Sequence, residues 1–263
     1  MRKILRHLGL MKPHSALRRA HQQMPAFPPL RPETTLAVIG DVHGEIVLFE
    51  RLLARLRQEA PGARLICVGD LIDRGEASAE VLRLAHARRG DITVIMGNHE
   101  EMLLRFLDAS DADIEHALAH WLRNGGLQTM ASFGILTPGA APSHAECLAM
   151  RDRLRIALGL ELELWLQSLP RLVVSGNVAV THAGADPWRP MAQQSGEVLT
   201  WGCPDFGRRR RTDGIWVVRG HRIVSVPVAA DGVISVDTGA FAGGALSVAL
   251  ISGGGVQFLS EFP

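Results

Sequence analysis

An α/β fold is predicted for this chain by three observations. Short apolar runs ending in Gly alternate with stretches whose apolar residues recur at helical spacing. That order, strand–helix–strand–helix–strand between Thr35 and Met96, implies parallel strands joined by crossover helices. A mostly helical block then interrupts the strands, which resume after Pro170. With 263 residues, 47% of them apolar, the chain is long enough to bury one large core.

Thr35-Leu-Ala-Val-Ile-Gly40 reads as a buried strand, because an unbroken apolar run ending in Gly suits a strand covered on both faces. Residues 46–56 place Ile46, Leu48, Phe49, Leu52, Leu53 and Leu56 on one helical face, and Pro61-Gly62 ends that helix. Residues 64–68 form a second strand, 77–88 a second helix and 92–96 a third strand. Helices are expected at 102–107, 114–122 and, in pieces, 145–166, with breaks at Asn124-Gly-Gly and Thr137-Pro-Gly. Strands follow at 172–174, 178–181, 216–218, 223–227, 233–236 and 245–251.

Residues 1–33 carry no acid before Glu33 but hold Arg2, Lys3, Arg6, Lys12, Arg18, Arg19 and Arg31, and are expected to be a flexible basic extension with one short helix. The domain proper is expected over 34–263, with 101–169 as a helical, cap-like insertion. A net charge of +1 argues against general nucleic-acid binding. No run of about 18 apolar residues exists to span a membrane. Three cysteines, Cys67, Cys147 and Cys203, are too few to staple a fold, so a reducing cytoplasm is the expected location.

Chemistry-bearing residues fall just after the expected strands: Gly40-Asp-Val-His-Gly44, Gly69-Asp-Leu-Ile-Asp-Arg-Gly75, Gly97-Asn-His-Glu100, Thr181-His-Ala-Gly184 and Gly220-His221. The carboxyl ends of strands in open α/β sheets converge on one crevice. Asp41, His43, Asp70, Asn98, His182 and His221 would meet there as six oxygen and nitrogen donors. A set without thiolate suits Mn, Fe or Zn, and six donors suit two ions better than one.

The spacing of Asp-Val-His-Gly, Gly-Asp-Leu-Ile-Asp-Arg-Gly and Gly-Asn-His-Glu resembles the phosphoprotein phosphatase family of calcineurin-like metallophosphoesterases. Bacterial and phage-type serine/threonine phosphatases are the nearest match, because Trp121-Leu-Arg-Asn-Gly-Gly-Leu-Gln-Thr-Met-Ala-Ser-Phe-Gly and Ile234-Ser-Val-Asp-Thr-Gly-Ala resemble segments they carry. The resemblance spans about residues 35–252 and implies a β-sandwich flanked by helices, a four-layer αββα fold with a helical insertion. It implies two divalent cations, Mn2+ first with Fe or Zn as alternatives. Asp41, His43 and Asp70 would hold one, and Asp70, Asn98, His182 and His221 the other. Arg74 would grip phosphate, and His99, oriented by Asp73, would protonate the leaving alkoxide after direct attack by hydroxide shared between the ions. Glu100 and Glu101 read as helix-starting acids rather than ligands.

Two departures stand out. Cys203 occupies the place where the resemblance implies a second phosphate-gripping Arg; Arg208 to Arg211 downstream read first as a solvated loop and second as the source of one substitute, and Arg222-Ile223 replaces a common Thr-Pro. The implied substrates are phosphoserine or phosphothreonine on proteins, or another small phosphoester. The alternatives are dinucleoside polyphosphates or other nucleotides, and a catalytically weak metal-binding interaction protein. Asp73 with Glu100 favours phosphoesters, because relatives of the symmetric dinucleotide type usually lack that Asp and read Gly-Asn-His-Asp.

Overall fold

The computed structural model describes residues 26–137 and 142–263. The first sheet has strand order β10-β9-β1-β2-β3. Its parallel part is β1 (Leu36–Ile39), β2 (Arg64–Cys67) and β3 (Ile92–Val94), linked by helices α1 (Ile46–Glu59) and α2 (Ser78–Ala87). Strands β9 (Leu246–Ser252) and β10 (Gly255–Glu261) extend it antiparallel.

A second sheet, ordered β4-β5-β6-β8-β7, comprises β4 (Leu172–Ser175), β5 (Val178–Thr181), β6 (Trp216–Arg219), β7 (Val228–Ala230) and β8 (Val233–Ser235). Here β5, β6 and β8 run parallel, and β4 and β7 are antiparallel edges.

Alternation along β1 explains the sandwich. Leu36 and Val38 face the second sheet, packing with Ile66, Val178, Val180, Val218 and Ile234. Ala37 and Ile39 face the opposite way, into the core made with Phe49, Leu52 and Leu56 of α1. Both faces are covered, so the strand is apolar throughout. Helices α3 (Asn98–Leu107), α4 (Ile114–Trp121), α5 (Leu127–Ser132), α6 (His144–Leu158) and α7 (Leu160–Gln167) contribute to that same helix-side core. The helical block expected as a cap is therefore continuous with the domain's core. The fourth layer is thin: α8 (Gly196–Trp201) and the following loop set Leu199 and Phe206 against Val217.

The two sheets, with β1, β2 and β3 parallel and joined by crossover helices, form the expected sandwich. Two strand expectations are corrected. Residues 223–227 form no strand, because Ile223 and Val226 are exposed and Pro227 lacks a donor; β7 starts at Val228. Strand β10 was not expected: its Gly-Val-Gln-Phe pattern is half-exposed, and it pairs only along β9.

Residues 26–33, assigned to a flexible extension, are tied down. Leu30 is buried, Trp216 Nε1 donates to the Pro28 carbonyl at 2.8 Å, and Asn177 bonds the backbone of Pro29 and Arg31. The short helix expected upstream lies outside the described residues.

Candidate active site

Local backbone strain marks the site before any chemistry does. His43, Asp70, Asp73, Arg74 and His221 all have φ between 46° and 70°, the left-handed region that non-glycine residues seldom occupy. Each such residue costs of order 1–3 kcal/mol and persists only where its surroundings dictate it. The turns aim these side chains back over the strand ends instead of onward into helix.

Asp70, following β2, is the hub. Its Oδ2 lies 3.6 Å from His43 Nε2, 3.3 Å from His182 Nε2 and 3.8 Å from His99 Nε2. Asp70 belongs to two donor groups of metal-binding dimensions, one with His43 and His99, the other with His182 and His221. Asn98 Oδ1 sits 2.8 Å from both His182 Nε2 and His221 Nδ1. The structure thus gathers the residues expected at the strand ends. Asp41 stands slightly apart, in neither group, and accepts the His221 backbone N–H at 3.0 Å. His99, expected only as an acid, is also within ligating distance of the cluster.

Second contacts fix which ring atoms face inward. His43 Nδ1 donates to the Ile72 carbonyl at 2.7 Å, and His182 Nδ1 to that of Val68 at 2.9 Å, leaving each Nε2 directed at Asp70. Burial pushes His43 down to about 3 and His221 down to about 4, keeping them in the neutral form that ligates metal. Burial tends to raise Asp70, but the His182 and His99 charges outweigh it and hold its carboxyl well below the usual range. Burial opposes charge on His182 too, yet Asp70 pushes it up to about 10. Burial, and then the Asp237 carboxylate, push Asp41 upward. Acids crowded into a buried pocket beside imidazoles, two of them held neutral, and an amide oxygen are the donor chemistry of divalent cations, so these residues fit a metal site.

A second cluster adjoins the first. His99 Nδ1 donates to Asp73 Oδ2 at 2.7 Å, and Arg74 Nη2 lies 3.2 Å from His99 Nε2. Asp73 is fully buried; Trp121 Nε1 donates to it at 3.0 Å and Thr129 Oγ1 at 2.6 Å. Burial pushes Asp73 upward, offset by His99, Thr129 and Trp121. Burial lowers His99, but Asp70 and Asp73 outweigh it, and the ring's pKa is raised overall. Between α4 and α5 a kink at residues 122–126 brings the Gly125 carbonyl to the Arg74 N–H at 3.2 Å. Gly125 has φ 102°, and a side chain there would run into Arg74.

Sequence reasoning missed the role of Glu100. It is wholly buried, and its carboxylate accepts the N–H groups of Asp70 at 2.8 Å, Leu71 at 2.7 Å and Gly97 at 3.0 Å. The available signal was its third position in α3, where a carboxylate reaches back to the start of the helix. Trp121 and Thr129 lie in the segment that carried the family resemblance, but nothing local showed that both would bond Asp73.

Among relatives, the chain is 28% identical over 168 residues to a symmetrical bis(5'-nucleosyl)-tetraphosphatase of Aromatoleum aromaticum, covering 62% of this chain and half of that protein. It is 39% identical over 89 residues to serine/threonine-protein phosphatase 2 of Escherichia coli, covering 34% of this chain and 37% of the relative. An asymmetrical bis(5'-nucleosyl)-tetraphosphatase of Bacillus velezensis is 27% identical over 235 residues, covering 80% and 86% of the two chains. A crystal structure provisionally described as a diadenosine tetraphosphatase shares the fold, with a TM-score of 0.61, 21% identity, and 88% and 95% of the two chains covered. The family model for calcineurin-like phosphoesterases matches residues 34–224, and the chain belongs to that family.

Proposed function

We propose that the chain is a metal-dependent phosphomonoesterase acting on phosphoserine and phosphothreonine of proteins. Asp41, His43 and Asp70 would hold one cation, and Asp70, Asn98, His182 and His221 the other, with Mn2+ favoured over Fe or Zn. When bound, such a pair supplies an acidified water for attack and neutralises phosphoryl charge.

The chain's own residues do the rest. Arg74 offers a planar fork for two phosphoryl oxygens. Arg74 Nη2 lies 3.2 Å from His99 Nε2, and a proton on that nitrogen turns the guanidinium from the ring toward phosphate. His99 then delivers that proton to the departing oxygen, while Asp73 keeps the ring oriented through Nδ1.

The observation that carries this reading is the buried His99–Asp73 pair, with the His99 pKa raised despite burial. A serine or threonine alkoxide is a poor leaving group and needs such a proton. A nucleotide departs as a stable anion and needs it less.

A second reading, hydrolysis of dinucleoside polyphosphates, is favoured by extent of similarity. The match to the Bacillus enzyme runs through 86% of it, against 37% of the E. coli phosphatase. Phosphate release by Mn2+-loaded protein, compared by kcat/KM between phosphopeptides and diadenosine tetraphosphate, decides between them. A phosphopeptide preference above about tenfold supports the first reading, and preference for the dinucleotide overturns it. Turnover of neither would leave a metal-binding interaction protein as the reading. Arg74→Ala is expected to lower kcat/KM by about 10²–10³.

A further inference from the structure

We propose that Arg208, Arg219 and Arg222 form a second phosphate subsite, which selects substrates carrying another phosphate beyond the one being hydrolysed. The proposal rests on the phosphohydrolase reading of the site beside it.

A cavity of about 530 Å³ opens on His221 and is lined by all three arginines. A second cavity, of about 850 Å³, lies over β6, β7 and β8 and shares Gly207, Arg208 and Arg219 with the first. Arg208 and Arg219 therefore stand where the two join, and the path leads from His221 to the exposed Trp188.

None of the three guanidiniums has a carboxylate within ion-pair distance among the described residues; Arg219 donates only to the Gly220 carbonyl, at 3.0 Å. Two neighbours in the same loop have partners of their own. Arg211 is buried, ion-paired with Asp213, and donates to the Asp186 and Arg189 carbonyls, while Arg210 lies 4.9 Å over the Phe27 ring.

Cys203 and His221 line the same cavity as the three arginines, so the positive charge stands beside the candidate active site. Three like charges around one cavity repel each other, and a polyanion with oxygens for planar forks relieves that repulsion.

The test pairs binding with turnover. Inorganic tripolyphosphate and orthophosphate are titrated calorimetrically into the metal-free protein, the Arg208→Ala/Arg222→Ala double variant, and an Arg153→Ala control. Arg208 and Arg222 are exposed, so the double variant keeps the core intact. Tripolyphosphate is expected to bind wild type and control at least tenfold tighter than orthophosphate, and the double variant is expected to lose that margin. Equal weakening by the control, or no margin in wild type, overturns the proposal.

With Mn2+-loaded protein, the kcat/KM ratio of a two-phosphate substrate to p-nitrophenyl phosphate should fall at least tenfold in the double variant. Diadenosine tetraphosphate and a doubly phosphorylated peptide serve as separate arms, and the arm with the larger fall names the source of the second phosphate. An unchanged ratio in both arms overturns the subsite and leaves the phosphohydrolase reading standing. Absence of all turnover removes that reading, and the calorimetry still decides the subsite.

Discussion

Trp121 Nε1 donates, at 3.0 Å, to the same Asp73 oxygen that holds His99 Nδ1 at 2.7 Å. One carboxylate oxygen therefore couples α4, the turn after β2 and the start of α3. Trp121 is itself immobilised, stacked on Phe106 with ring centroids 5.6 Å apart and backed by Gly126, where any side chain would strike the indole. Trp121→Phe keeps the stacking but removes a hydrogen bond to a charged group. Stability should fall by about 1.5–3 kcal/mol. In denaturant titration the midpoint should drop with an unchanged slope, and kcat should fall more than KM rises.

Asp70 serves both donor groups, so it is the most sensitive position for metal content. Asp70→Asn is expected to abolish turnover and to lower bound Mn2+ measured by elemental analysis. Added Mn2+ should raise the melting temperature of wild type, because a cation that binds only the folded state stabilises it. The Asn variant should lose most of that rise.

Gly125 is held at φ 102° against the Arg74 backbone. An L-residue in a left-handed conformation costs about 1–2 kcal/mol, and here the new side chain also displaces Arg74. Gly125→Ala should destabilise the fold by at least that amount. Phosphate affinity should weaken, read as a higher inhibition constant for inorganic phosphate.

Glu101 ties the two halves of the sandwich together. It accepts from Arg105 at 2.6 Å, from Arg171 at 2.9 Å and from Trp201 at 3.1 Å. Burial would raise its pKa, but Arg171 and Arg105 outweigh burial and hold it below the ordinary value of 4.5. A carboxylate depressed by folding contributes stability that is present above its unfolded pKa and lost as pH falls through the folded one. Glu101→Gln should therefore be less stable than wild type at neutral pH. The difference should shrink as pH falls below about 4.5, measured by thermal unfolding across pH.

Glu100 clamps three backbone N–H groups at the joint between β2 and α3. Glu100→Ala leaves those donors unmatched in a dry interior, each costing about 1–3 kcal/mol. The expected result is a large loss of stability with parallel loss of metal binding. Glu100→Gln, which retains one acceptor oxygen, should recover part of both.

The chain order by itself determined the strand-end clusters, the helical faces of α1 and α2, and the family signature. Each of these is written in residues that are neighbours along the chain. Gly40-Asp-Val-His-Gly44 and Gly69-Asp-Leu-Ile-Asp-Arg-Gly75 carry both the clustered donor residues and the backbone freedom to present them.

Only the tertiary structure decided which partners hold those residues. Asp73 meets Thr129 across 56 positions, and His182 meets Asn98 across 84. Such contacts leave no periodic trace, because a single buried Thr or Trp looks locally like any core residue. The same holds for the loop arginines. Arg208 to Arg211 are indistinguishable as a run of four charges, and folding alone buries Arg211 against Asp213 and leaves Arg208 facing the cavity beside His221.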